Sequence, residues 1–359
     1  MPGRSSSQPY DVIIAGASFA GLAAAQRLRG RVLLLDRQPI GDGVASACAA
    51  PVRIVRMMGA EAAVLQEHGM LVIHACGRRV AWRLPEPFCT FDYRAFCLEA
   101  AARTWAEFRR ASVLGRDGSR VLTSAGAFAG RFLIDATGPR AALAGRGRPR
   151  YVAFGIESEV PLAVEPGLHF HFTPEVGDGY AWAFPCGQAA RFGVLSYRGR
   201  TKLLPALGRF MARFGAAPAR VHGGYLVTGW TPSVVDGVFA AGDAAGHCLP
   251  LSGEGIRTAA LAGARCGALI QQVLDGRISP AEAEAGYRTF VATDRRRYRA
   301  LLWANLVVLC LPRGWVGLAA AVMARPGLLR LFFDRYLAMG TTAATGSVDL
   351  PPGLRERDA

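Results

Sequence analysis

Two stretches more than two hundred residues apart carry the residue types of one binding site. The first is Asp11-Val-Ile-Ile-Ala-Gly-Ala-Ser-Phe-Ala-Gly-Leu22. Val12–Ala15 predicts a short strand, Gly16 to Gly21 a tight turn, and the Ala/Leu-rich run to about Arg29 a helix. In that context Gly16 permits the turn and Gly21 lets helix and strand pack closely. The helix start, with Ala17, Ser18 and Ala20 around it, offers N–H groups and a positive dipole end to a pyrophosphate. Ser18 stands where the glycine pattern has its middle glycine, so its Cβ narrows the approach while its hydroxyl is able to bond a phosphate. A second apolar run, Val32–Leu35, ends in Asp36, twenty residues after Gly16 and followed by Arg37. A carboxylate there accepts hydrogen bonds from both ribose hydroxyls and disfavours a 2′-phosphate. The second stretch is Gly242-Asp-Ala-Ala-Gly-His-Cys-Leu-Pro-Leu-Ser-Gly-Glu-Gly-Ile256. Asp243 follows the apolar run Val238–Ala241 and suits a hydroxylated chain. Gly253 and Gly255 let backbone pass close to a flat ring, just before a helix beginning near Ile256. The glycine turn, Asp36 and the distant Gly242-Asp243 element together point to a dinucleotide.

Composition sets the class. The chain has 359 residues, 51% hydrophobic and only 19% charged, which suits a globular protein of one or two domains. Its formal net charge is +15, but Lys202 is the only lysine, and arginine with abundant alanine can reflect genome composition. No basic stretch interleaved with aromatics appears, so nucleic acid is not an expected partner. Eight cysteines without a C-x-x-C pair or metal-ligand spacing read as reduced thiols in a cytoplasmic protein, with no metal site. Met1–Pro9 is short and polar and reads as a tail, not as a signal peptide.

The elements that must position these residues follow in order. A helix is expected near Gly59–Glu67, then a hairpin of Leu71–Cys76 and Arg79–Leu84 turning at Gly77-Arg78. Arg94–Phe108 predicts a helix whose Phe96, Leu98, Ala101, Ala102 and Trp105 form a buried stripe. Arg131–Ala136 reads as a strand closing on Thr137-Gly138, and Ala141–Arg150 as a linker. From Tyr151 to about Thr228 alternating strands, interrupted by a helix near Leu203–Phe214, indicate an inserted antiparallel sheet. Gly255–Leu274 and everything beyond Ala281 read as helical. Residues 9–70, 90–150 and 232–280 are thus assigned to a discontinuous dinucleotide-binding domain, 71–89 and 151–231 to a β-sheet substrate domain, and 281–359 to a C-terminal helical region. Within the last, Leu301–Leu311 and Trp315–Ala324 are apolar runs flanked by Arg295-Arg296-Arg297-Tyr298-Arg299 and Pro312-Arg313-Gly314. Neither reaches the roughly 20 residues of a membrane span. Two readings stay open: a helical cap on the main body, or a surface-lying hairpin touching anionic membrane through residues 295–324.

Tyr180-Ala-Trp182-Ala-Phe184-Pro185 places three aromatics at period two, on one face of a strand, as core or as the wall of a site. With Pro174 before it and Gly187 and Gly193 after it, this segment matches the aromatic substrate motif of the geranylgeranyl reductase family. The N-terminal turn matches the fingerprint shared by flavoproteins of the p-hydroxybenzoate hydroxylase type, and Gly242-Asp243 with Pro250 and Gly253-Glu254-Gly255-Ile256 matches the family's flavin-ribityl motif. From Asp11 to Gly276 the chain resembles that family.

The resemblance implies an α/β fold: a Rossmann-type FAD-binding domain with an inserted antiparallel β-sheet substrate domain and a C-terminal helical region. It implies non-covalent FAD, with Arg94 at the phosphates, Val113 on the adenine side and Tyr180, Trp182 and Phe184 beside the substrate. It implies hydride transfer from flavin N5 to a carbon–carbon double bond of an isoprenoid or other hydrophobic, lipid-like molecule. The electron donor is left open between NAD(P)H and a ferredoxin-like protein, and the proton source is water or a side chain the sequence does not name. Cys48 falls where the family often has a cysteine near the flavin. Ala49-Ala50 replaces the usual glycines after it, so a catalytic thiol and a buried structural one both stand. The alternative function is an FAD-dependent hydroxylase or dehydrogenase of a phenol, quinone or polyketide, against which Thr137 counts because such hydroxylases carry aspartate there. A non-catalytic flavin-binding partner is the third class. His169 and His171 share one strand face and His247 sits within the second motif; none of them is expected to be catalytic.

Overall fold

The computed structural model describes residues 8–44, 46–145 and 151–341. Residues 1–7 of the expected tail, 146–150 of the expected linker and 342–359 of the C-terminal region lie outside the described residues. Two eight-stranded sheets and a set of C-terminal helices make up the described chain.

The first sheet is built on Tyr10–Ala15, which runs parallel to Val32–Asp36 on one side and Gly126–Asp135 on the other. Both neighbours and both faces cover it, so Val12, Ile13, Ile14 and Ala15 are wholly buried, which explains why it reads as an unbroken apolar run. Glu107–Arg110 and Val238–Ala240 extend the parallel set, and Val113–Asp117 with Arg120–Thr123 forms an antiparallel ribbon on the end of Gly126–Asp135. Helices Phe19–Ala25 and Ile256–Leu274 pack together on this sheet, joining the two ends of the dinucleotide motif. This is the α/β arrangement expected from the sequence, with the C-terminal helical region present.

The second sheet runs in the order Val221–Val227, Val152–Val160, Ala189–Ser196, Gly179–Cys186, Leu168–Phe172, Val64–Ala75, Arg78–Phe91 and Ala49–Pro51. It is antiparallel except where Leu168–Phe172 lies parallel to Val64–Ala75. Three expected elements differ. The helix near Gly59–Glu67 is instead Val52–Met57 followed by the 3-10 turn Glu61–Ala63, because Gly59 in the left-handed region (φ +65°) ends the helix and strand Val64–Ala75 begins at once. The hairpin is therefore much longer, pairing Val64–Ala75 with Arg78–Phe91. It turns at Cys76-Gly77, both left-handed, the two-residue geometry that matches strand twist. The third helix runs only Tyr93–Ala102, started by Asp92, whose carboxylate accepts the Ala95 N–H at 2.7 Å. Its buried face is Phe96, Cys97 and Ala100, while Leu98 lies on the opposite side and Trp105, past the helix end, is 82% exposed.

Beyond Ser279 the chain forms Pro280–Thr293, Arg295–Cys310, Arg313–Met323 and Pro326–Leu337, the first opened by a reciprocal Ser279/Glu282 cap. These helices are tied to the body. Tyr298 donates to the carbonyls of Gly246 and Cys248 at 2.9 and 2.7 Å, and the Trp82 indole donates to Ala320 O at 3.0 Å. Among the described residues no single helix is long and apolar enough to cross a membrane.

Candidate functional site

One cavity of about 960 Å³ starts at Gly16 and Asp36, passes residues 251–256, and ends between the aromatic face of the second sheet and the C-terminal helices. Its size is at the upper end for a small-molecule site.

At the nucleotide end, Gly16 has φ +106°, and a Cβ there would stand 2.1 Å from Ala136 O, so only glycine fits. Asp36 accepts the Ala17 N–H at 2.8 Å and the Gln38 N–H at 3.0 Å, which fixes its carboxylate at the cavity edge with lone pairs to spare. Ser18 does not cap its helix with its side chain; its hydroxyl instead accepts from Tyr93 at 3.0 Å. Ser18, Ala20, Arg37 and Val113 line the cavity, whereas Ala17, Gly21 and Pro250 stand behind it. Arg94 is also outside the lining: its guanidinium pairs with Asp42, which does face the cavity.

In the second motif Gly242, Asp243, Gly253, Gly255 and Ile256 line the cavity. The Asp243 carboxylate takes only a long 3.4 Å bond from the Val227 N–H, and burial pushes it up to about 7. Tyr180 donates to Ser252 O, and the Ser252 and Tyr336 hydroxyls bond at 2.6 Å. Glu254 and Arg257 form a two-pronged ion pair at 2.7 and 2.9 Å, and Arg257 also donates to the carbonyls of Tyr336, Leu337 and Met339. The C-terminal helix is thus bolted to the flat-ring segment. The Glu254/Arg257 spacing was visible in the sequence, but the tail carbonyls that complete it were not.

Tyr180, Trp182 and Phe184 are all buried and all line the cavity, so the period-two stripe faces it. Phe332, Phe333 and Tyr336 face them from the C-terminal helix. Cys48 lies in the cavity wall with φ +49°, and its thiol donates to Ser46 O at 3.3 Å. Burial pushes this thiol far up, so it stays protonated and is a poor nucleophile.

Thr137 also reaches the cavity, but its hydroxyl donates to Asp135 at 2.7 Å and accepts the Ala142 N–H at 2.8 Å, holding the loop after the strand. His169 and His171 stack with His74 on the far side of the sheet, at ring separations of 5.3 and 4.1 Å from it. Their ligand nitrogens lie within 4.8 Å of one another, a grouping the sequence spacing did not reveal. His74 Nε2 and His169 Nδ1 share a hydrogen bond at 3.0 Å. Burial lowers His74 to about 4 and His171 to about 3, which keeps the stack neutral.

The arrangement can hold an extended dinucleotide at one end and an apolar chain or ring at the other. No known family profile matches the chain. Solved structures share its fold. A geranylgeranyl bacteriochlorophyll reductase-like protein from Thermoplasma acidophilum aligns over 92% of this chain and 98% of its own, with TM-score 0.79 and 17% identity. A flavin-dependent brominase aligns over 93% and 94%, with TM-score 0.69 and 18% identity. A probable FAD-dependent monooxygenase from Pseudomonas aeruginosa aligns over 91% and 99%, with TM-score 0.62 and 16% identity. The chain shares the fold of these three proteins.

Proposed function

We propose that this chain is an FAD-dependent oxidoreductase that reduces a carbon–carbon double bond of an isoprenoid or similar lipid-like molecule. The shared cavity carries the reading, because Asp36 and Gly253 line it together with Trp182 and Phe332. FAD bound there supplies hydride. Asp36 receives the ribose hydroxyls, Asp243 a ribityl hydroxyl, and the aromatic wall and helical roof hold an apolar chain and exclude water. The second reading, a hydroxylase or dehydrogenase of a phenol, quinone or polyketide, draws on the probable monooxygenase among the proteins that share the fold.

The purified protein is expected to be yellow and to release FAD on denaturation; Asp36→Ala and Asp243→Ala are each expected to weaken retention by about 1–3 kcal/mol. Asp243 adds a pH dependence. Its ordinary value is 3.8 and burial raises it to about 7, so near pH 6 a binding hydroxyl must meet a carboxyl that is largely protonated. A donated hydrogen bond favours the carboxylate, so binding releases a proton. FAD affinity then rises with pH by up to about tenfold between roughly pH 6 and pH 8 and levels off above. Fluorescence titration of the apoprotein checks this: Asp243→Asn should flatten the profile, and a wild-type affinity that falls with pH contradicts the role.

We also propose that the outer side of the helical cap rests on anionic membrane. Trp303 and Trp315 are 66% and 60% exposed on it, with Val307, Leu318 and Leu331 also exposed. Arg295, Arg296 and Arg299 stand exposed at the start of the same helical pair. Phosphatidylserine vesicles should carry the protein on flotation, more strongly at low salt, and Trp303→Ser with Trp315→Ser should reduce this. Wild-type protein that ignores such vesicles overturns the contact.

A further inference from the structure

Across one face of the second sheet, paired residues form a row: Ile73, Phe170, Trp182, Gly193, Glu157 and His222. All except Gly193 line the cavity. A Cβ on Gly193 would stand 1.9 Å from the Trp182 ring, so glycine is what lets the indole lie across the neighbouring strand. From there Trp182 Nε1 donates to Glu157 Oε2 at 2.7 Å.

Glu157 is a carboxyl in an aromatic wall, only 3% exposed. Its second oxygen, Oε1, is buried without a hydrogen-bond partner. The nearby buried cation acts on Glu157 through its charge but makes no hydrogen bond to it: Arg191 donates to Glu159 and to the carbonyls of Phe91 and Ala47. His222 Nε2 lies 3.3 Å from Oε1 without hydrogen-bond geometry and is itself unpartnered. His222 sits on the edge strand Val221–Val227, and its side chain is 25% exposed. A chain of two titratable groups therefore runs from solvent to the substrate end of the cavity.

We propose that Glu157 is the proton donor of the reaction and that His222 reloads it from solvent. This rests on the reductase reading above. One alkene carbon takes hydride, with its electron pair, from the reduced flavin. The proton of Glu157 joins the adjacent carbon using the former π pair, so two C–H bonds replace the π bond and the flavin ends oxidised. The carboxylate left behind recovers a proton through His222. Trp182, holding Oε2, leaves Oε1 beside His222 as the oxygen through which the proton passes.

The test is anaerobic single turnover of dithionite-reduced holoenzyme with geranylgeraniol, followed by flavin reoxidation and by product mass in D₂O. Wild type is expected to saturate a double bond with two deuteriums from solvent, one through flavin N5, which takes its hydrogen from solvent on dithionite reduction, and one through Glu157. Glu157→Gln keeps an acceptor for the Trp182 indole and is expected to slow reoxidation on the order of a hundredfold or more at unchanged FAD content. Trp182→Phe, which keeps the carboxyl but removes its indole donor, is expected to slow it far less, and His222→Gln to slow repeated turnover more than the first. Glu157→Gln reoxidising as fast as wild type overturns the proposal. So does an equal loss in Glu157→Gln and Trp182→Phe, which would make Glu157 only an anchor for the indole. Wild type that leaves the alkene untouched overturns the reductase reading itself.

Discussion

Arg257→Met is expected to destabilise the protein by about 3–5 kcal/mol, the range for breaking a buried ion pair from one side. The Arg257 side chain is fully buried and Glu254 nearly so, and two bonds at 2.7 and 2.9 Å join them. Removing the guanidinium strands a carboxylate beside the flat-ring segment. It also strips the donors from the carbonyls of Tyr336 and Leu337, which end the last helix, and of Met339 just beyond it, and takes the cation from over the Tyr336 ring. Urea denaturation checks the stability, and FAD release on mild warming checks the coupling of roof to clamp. The double variant Glu254→Leu with Arg257→Met should lose less than Arg257→Met alone, because it leaves no unpaired charge. A single variant as stable as wild type contradicts this account of how the tail is held.

Trp182→Ala is expected to slow turnover on the order of a hundredfold at unchanged FAD content, since about 1 Å of misplacement at a reacting centre costs that much. The indole forms the wall between Tyr180 and Phe184, with ring centroids 6.1 and 6.2 Å away. It makes no hydrogen bond to the flavin-motif residues; that contact belongs to Tyr180 through Ser252. Gly193→Ala should reproduce much of the effect without touching the indole's chemistry, because its Cβ occupies the ring's place. Single-turnover rates and flavin absorbance separate the two readouts. Full activity in Trp182→Ala would make the aromatic stripe core and not pocket.

The nucleotide half was legible because its signals are local. Gly16, Gly21 and Asp36 act through one strand–turn–helix unit, and strand periodicity alone put Tyr180, Trp182 and Phe184 on one face. What escaped depends on register between distant strands. Glu157 and His222 meet only because Val152–Val160 pairs with Val221–Val227, and His74 joins His171 only through a parallel pairing across nearly a hundred residues. The strand Val64–Ala75 was hidden because Gln66, Glu67 and His68 interrupt its apolar pattern, and Trp105 misled because hydrophobicity does not show where a helix stops. The tail left its cap and membrane readings open because its helices are apolar on both sides. One side roofs the cavity with Ala304, Val308 and Met323, while the other exposes Trp303 and Trp315.

The central claim is that FAD and an unsaturated lipid-like molecule meet in one cavity and that the outcome is reduction. Mass analysis of products from the FAD-loaded, pre-reduced protein, run with geranylgeraniol in parallel with and without oxygen, tests it most directly. The expected result is a product that has gained hydrogen and no oxygen, formed equally well without air, with one flavin oxidised per double bond lost. A product that carries new oxygen and appears only in air, or a protein that takes up no FAD, would contradict it.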